Sequence, residues 1–221
     1  MKQGAVLGYS MWDSPSDGAG PFRALFPLTK PIINYNDFDL IDALVLWGGS
    51  DISPSLYERT PIKNSGPANP SQRDLFEWEL IRIAKETNTP IIGICRGAQL
   101  LCAYAGGILI QHVTGHTHDH PVTTNAGITM SSSSSHHQMM GLANTTHKLI
   151  AWSTKHQSTT YLPDCFESSQ LEKRSVKEPE VVHFPTLNAI AIQGHPEWMM
   201  KTDPFVEWCL KVVANTLFKG D

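Results

Sequence analysis

Short, wholly apolar runs separated by polar stretches dominate the first half of the chain. Val6-Leu7-Gly8-Tyr9, Pro31-Ile32-Ile33-Asn34 and Ala43-Leu44-Val45-Leu46-Trp47 each have the length and composition of a buried strand. Pro90-Ile91-Ile92-Gly93-Ile94 has no polar side at all, as expected of a parallel strand covered on both faces. Two stretches follow a helical period instead. Asp74–Lys85 repeats apolar residues at Leu75, Trp78 and Ile81 with charges between them, and Gly97–Ala105 is a second helix, stopped by Gly106-Gly107. Strand and helix thus alternate, which predicts a three-layer α/β fold: an open, mostly parallel sheet with helices on both faces. The second half reads as strands at Ile108–Val113, Gly127–Met130, Lys148–Trp152, Val181–Phe184 and Ala189–Gln193, closed by an amphipathic helix over Pro204–Leu217. Residues 10–20 and the four-proline stretch 53–70 read as loops. Residues 157–180 are charged without periodicity, which predicts a solvated insertion in preference to a lid or docking segment.

Composition narrows the class. A 221-residue chain with 41% hydrophobic and 17% charged residues fits a single globular domain over 1–221. The formal charge of −4 offers no basic face for nucleic acid. No apolar run reaches the roughly 18 residues of a membrane span, and the short apolar start reads as a strand and not a leader. The expectation is a cytoplasmic protein with reduced thiols. Its four cysteines, Cys95, Cys102, Cys165 and Cys209, include no CxxC pair, so neither a zinc site nor a dithiol redox motif is expected. Cys102 and Cys209 sit within apolar helical patterns and read as small buried hydrophobes.

Cys95 has a different setting. It falls between an apolar strand and a helix start, flanked by Gly93 and Gly97. A sharp strand-turn-helix is how α/β hydrolases present a nucleophile. A helix N-terminus there favours thiolate, and the Arg96 N–H could receive an oxyanion. Gly48-Gly49-Ser50, at the end of another strand, is the candidate for a second donor. A cysteine nucleophile also needs a base and an orienter. Gln193-Gly194-His195-Pro196-Glu197-Trp198 supplies His195 after a strand, with Glu197 two residues on.

Gly93-Ile94-Cys95-Arg96-Gly97-Ala98-Gln99-Leu100-Leu101, followed roughly 100 residues later by Gly194-His195-Pro196-Glu197, resembles the class I glutamine amidotransferase superfamily. Within it the chain is most similar to the γ-glutamyl hydrolase (peptidase C26) branch. The residues that carry this are Arg96, Gly48-Gly49-Ser50-Asp51-Ile52-Ser53-Pro54-Ser55-Leu56-Tyr57, Arg73-Asp74 and Ser134-Ser135-His136-His137-Gln138. The resemblance implies a flavodoxin-like fold and a Cys95–His195–Glu197 triad. It also implies an oxyanion hole from the amides of Gly49 and Arg96. Gln99 would face the glutamyl group, the backbone of Ser134, Ser135 and His136 would hold its α-amino and carboxylate groups, and His137 would line the pocket. Departures are Ser133, where asparagine is usual, and residues 157–180 in place of an Asp-Gly turn.

The implied activity is hydrolysis of a γ-glutamyl amide through a thioester on Cys95, with no metal or organic cofactor. The alternatives are a glutaminase subunit delivering ammonia to a separate synthetase or ligase, and a catalytically silent binding protein. The expected partner is a small γ-glutamyl molecule, and self-association is left open. His116, His118 and His120 would share one face of a strand and could bind zinc or copper. A polar loop is the preferred reading, because no nearby carboxylate or cysteine completes a site. Trp47 and Trp198 are candidates for the pocket wall, while Trp78, Trp152 and Trp208 read as core.

Overall fold

Nine strands form one sheet in the order β2-β1-β3-β4-β13-β12-β10-β7-β8. The computed structural model describes residues 4–12, 19–63, 65–155, 157–162 and 177–218. In chain order the strands are β1 (Val6–Ser10), β2 (Leu28–Ile32), β3 (Ala43–Leu46), β4 (Ile91–Ile94), β5 (Ile108–Ile110), β6 (His112–Val113), β7 (His120–Thr124), β8 (Thr129–Ser132), β9 (Met139–Gly141), β10 (Lys148–Ser153), β11 (Tyr161–Leu162), β12 (Pro179–Phe184) and β13 (Ala189–Ile192). The α-helices are α1 (Gln72–Glu86), α2 (Arg96–Tyr104) and α3 (Pro204–Leu217). From β2 to β13 neighbouring strands run parallel, and from β13 to β8 they run antiparallel.

The apolar runs take the centre because only there can both faces be buried. All four residues of β3, β4 and β13 are buried. Each large side chain so buried stabilises by about 1.5–3 kcal/mol. Leu44, Leu46 and Ile91 join one core cluster, with α1 and α2, while Ala43, Val45, Ile92 and Ile94 join the other, with α3. Helices therefore cover both faces, as the alternation predicts.

Several boundaries differ from the sequence reading. The edge strand β2 runs Leu28–Ile32 and not Pro31–Asn34, because only Ile32 in it is buried and the apolar signal marks its end. The run Ile108–Val113 is two strands in two small sheets, broken where Gln111 turns its side chain to Thr60 O and Ile62 N. β8 begins at Thr129 and not at Gly127, which has a φ of +79°. In α1 the buried face carries Asp74 and Glu77, and Leu75 is exposed. Of the stretch 157–180, the ends contribute β11 and the start of β12. Its middle, 163–176, which includes Cys165, lies outside the described residues.

The first turn of α2 lies against the backbone of β3 and β4. A Cβ at Gly93 would come within 2.7 Å of Gly97 O, and one at Gly97 would come within 2.0 Å of Leu46 O. Gly97→Ala therefore meets backbone that cannot yield cheaply, and overpacking costs about 1–3 kcal/mol. A lowered urea midpoint at unchanged m is the expected result; an unchanged midpoint would show that the strand–helix contact is looser than described.

Candidate active site

Cys95 follows β4 directly and caps α2 with φ +49° and ψ −104°. A β-carbon residue rarely occupies this region, so the conformation is held by its surroundings. Cys95 N donates to Ile192 O at 2.8 Å, and Gln99 N donates to Cys95 O at 3.0 Å. The turn thus hangs between the end of β13 and the first turn of α2, with the side chain 8% exposed.

His195 arrives on the other side of that strand end. Its N–H donates to Ser133 O at 2.9 Å, and a 3-10 turn over Pro196–Trp198 follows it. The turn brings Glu197 back, so that Oε1 accepts from His195 Nδ1 at 2.7 Å. With Nδ1–H committed to the carboxylate, Nε2 carries the lone pair. Trp198 stacks on the imidazole, ring centroids 3.6 Å apart and 1° from parallel. A methyl placed on Gly48 would lie 2.9 Å from His195 Cε1 and 3.6 Å from Cys95 Cβ, so both side chains flank that glycine.

The loop after β3 is fastened from below. Gly49 has a φ of +148°, and a Cβ there would meet the Arg73 guanidinium at 2.5 Å. Arg73 donates to the carbonyls of Trp47 and Gly48, each at 3.1 Å, and to Glu77 Oε1 at 2.8 Å. Glu77 and Asp74 in turn pair with the buried guanidinium of Arg96. The Arg96 side chain is structural, and its backbone amide faces the thiol.

The electrostatics differ from the helix-terminus expectation. Burial pushes the Cys95 thiol up to about 12, the Glu197 charge adds to this, and the Arg96 amide acts the other way. Desolvation outweighs the helix terminus here, so the resting group is a thiol.

Two cavities meet at Cys95. One, of about 470 Å³, is walled by Trp12, Trp47, Arg73, His195, Glu197 and Trp198. The other, of about 380 Å³, is walled by Ser50, Asp51, Gln99, His136 and His137. Gly49, Cys95 and Ser135 border both. His137 Nε2 lies 3.0 Å from Asp51 Oδ2, which raises the pKa of the imidazole. Gln99 Nε2 donates to Gln138 O at 3.2 Å. The N–H groups of Ser134 and His136 are taken by Asp119 Oδ1 and His116 O, so Ser135 is the residue of that segment that borders both cavities. Trp12 carries no signal in the sequence beyond its type, since it lies in a loop that shows no pattern.

The histidine run does not form one strand face. Only His120 is in β7, and His118 is exposed. The His116 and His120 rings still meet, 4.7 Å apart, and His136 joins them. Carboxylates reach the His116 ring from far along the chain, from Glu178 just before β12 and Glu180 within it.

The family described as Peptidase C26 matches residues 16–197. The glutamine amidotransferase-like protein YvdE of Lactococcus lactis is 30% identical over 202 residues, covering 85% of this chain and 78% of that protein. The gamma-glutamyl-CDP-amidate hydrolase of Campylobacter jejuni is 38% identical over a shorter stretch, 29% of this chain and 28% of that protein. The crystal structure of a glutamine amidotransferase from Thermotoga maritima shares the fold, with a TM-score of 0.62 at 14% identity over 99% of this chain and 98% of that one.

A buried thiol with a pKa near 12 makes a definite prediction. Alkylation of Cys95 by iodoacetamide, located by peptide mass spectrometry, should quicken about tenfold per unit from about pH 7 to about pH 9, following the thiolate fraction. A plateau across that range would mean a preformed thiolate and would contradict the burial argument.

Proposed function

This chain belongs to the peptidase C26 family, within the class I glutamine amidotransferase superfamily, and we propose that it is a cysteine-dependent hydrolase of γ-glutamyl amides that works through a γ-glutamyl thioester on Cys95. The observation that carries this reading is the position of Cys95 at the meeting point of two unlike cavities. An amide has two halves, and a nucleophile that splits it stands between their binding sites.

The smaller cavity, lined by Asp51, Gln99 and His137, suits the glutamyl half. The Asp51 carboxylate matches an α-ammonium, the His137 imidazole beside it matches an α-carboxylate, and Gln99 reaches the chain between them. The larger cavity, with Trp12, Trp47 and Trp198 in its wall, suits the amine half. Trp12 and Trp198 are 50% and 62% exposed. An aromatic rim offers nothing to ammonia and much to an amine bearing a flat or apolar body. The proposed leaving group is therefore a substituted amine. The Campylobacter jejuni relative, named for a γ-glutamyl amidate, agrees in reaction class.

In the proposed reaction, His195 Nε2 takes the Cys95 proton as sulfur attacks the γ-carbonyl. The amides of Gly49 and Arg96 receive the oxyanion, and one such donor is worth about 10²–10³ in rate. The C–N bond breaks as His195 returns the proton to the departing nitrogen. Water then attacks the thioester with His195 again as base, releasing glutamate and the free thiol. Glu197 fixes the His195 tautomer and offsets the transient imidazolium charge.

A screen without any added partner tests the reading. The expected outcome is that γ-glutamyl aryl and alkyl amides turn over with kcat/KM above that of glutamine. Cys95→Ala should lose at least about 10³-fold in rate. Trp12→Ala should narrow the gap between bulky amides and glutamine. Turnover of glutamine alone, rising when a synthetase is added, would favour the ammonia-delivering alternative. Hydrolysis that survives Cys95→Ala would refute the nucleophile.

A further inference from the structure

A second group of chemistry-bearing side chains lies behind the smaller cavity and shares its wall through His136. His116 and Glu180 are fully buried, and His136 is 3% exposed. Glu180 Oε1 lies 3.4 Å from His116 Nδ1 and 3.8 Å from His136 Nε2. Among the described residues His136 Nε2 and Glu180 Oε2 make no hydrogen bond, and the His116 ring nitrogens have the carboxylates of Glu178 and Glu180 near them, at 3.2 and 3.4 Å, outside hydrogen-bond geometry. Buried polar atoms are rarely left so.

His136 makes the mismatch explicit. Its Nδ1 lies 2.7 Å from the Gln138 carbonyl oxygen. A carbonyl only accepts, so Nδ1 carries the hydrogen and Nε2 presents a lone pair. That lone pair faces a carboxylate oxygen, a second acceptor, at 3.8 Å. A cation held by both atoms resolves the clash. An N–H to carbonyl bond behind the ring is also how metal-binding imidazoles are oriented. Glu180 is braced in the same way, by His120 Nε2 at 2.8 Å from Oε1.

We propose that His116, His136 and Glu180 form a site for one divalent cation of the zinc class. One ligand atom from each, all within 4.8 Å of one another, can converge. Tetrahedral zinc with bonds of about 2.0–2.2 Å sets its ligand atoms roughly 3.4 Å apart, so the three side chains would draw in by up to about 1.4 Å on binding. Two imidazoles and one carboxylate select a borderline metal over hard calcium or soft copper(I). Glu178 Oε2, 3.2 Å from His116 Nε2, holds that ring from its other side. The metal would tie β12 to the two loops that carry His116 and His136, one of which also carries Ser135. It supplies architecture and no step of the hydrolysis, so the inference stands apart from the function proposed above.

The test uses the full chain in a Cys95→Ser background, so that the thiol holds no metal. Chelator-dialysed protein is titrated with Zn²⁺ against a chromophoric competitor and, separately, with Co²⁺. The expected results are one equivalent bound per chain, a four- or five-coordinate Co²⁺ spectrum, and a raised unfolding temperature. His136→Gln should weaken binding at least about tenfold, and His118→Gln, at an exposed neighbour, should leave it unchanged. Absence of saturable one-to-one binding, or equal binding by His136→Gln, would overturn the site. If His136→Gln does not fold, the parent decides: a weak, six-coordinate aqua-like Co²⁺ spectrum overturns the proposal.

Discussion

One buried guanidinium holds the two loops of the site in register. Arg96 begins α2, and its side chain turns inward to the carboxylates of Asp74 and Glu77 on α1. Glu77 also accepts from Arg73, which grips the carbonyls of Trp47 and Gly48. A buried ion pair adds little net stability, but it is costly to break, so it fixes geometry. Here it links the turn after β4 to the loop after β3, the two segments that flank the thiol. Asp74 contributes twice, because its other oxygen accepts from Ser71 N in the capping box of α1.

Within that frame the strain at Cys95 is sustained by close packing on both sides. Gly93, Gly97 and Gly48 leave room for nothing larger, and His195 and the thiol share the space over Gly48. The same packing dries the sulfur and keeps it a thiol, which makes the neighbouring imidazole indispensable to the proposed chemistry. Aromatic rings then complete the mouth: Trp47 edge-on to Phe22 at 5.9 Å, and Trp198 flat on His195. The carboxylate, the stacked indole and the 3-10 turn leave that imidazole little freedom.

The sequence disclosed the parts of this arrangement that are local. An apolar strand, a cysteine and a glycine-containing helix start are contiguous, and so are His195 and Glu197, so the elbow and the charge partner were legible. The central strands were legible because burial on both faces leaves an unbroken apolar run. What was hidden depends on contacts distant in the chain. The burial of Asp74 and Glu77 on α1 was not legible because Arg96, their partner, is 19 to 22 positions away. The histidine run looked incomplete because Glu180 is 60 positions from His120. The thiol's charge state depends on how completely the fold covers it, which no spacing rule conveys.

The central claim is that Cys95, placed between an acyl cavity and an amine cavity, becomes acylated during turnover. Rapid acid quench of the enzyme with a γ-glutamyl anilide, followed by intact-mass and peptide mass spectrometry, measures this directly. The account predicts a γ-glutamyl adduct confined to the peptide carrying Cys95, appearing with release of the amine and decaying as glutamate forms. Glutamate release without any such adduct, or with the adduct on another residue, would contradict it.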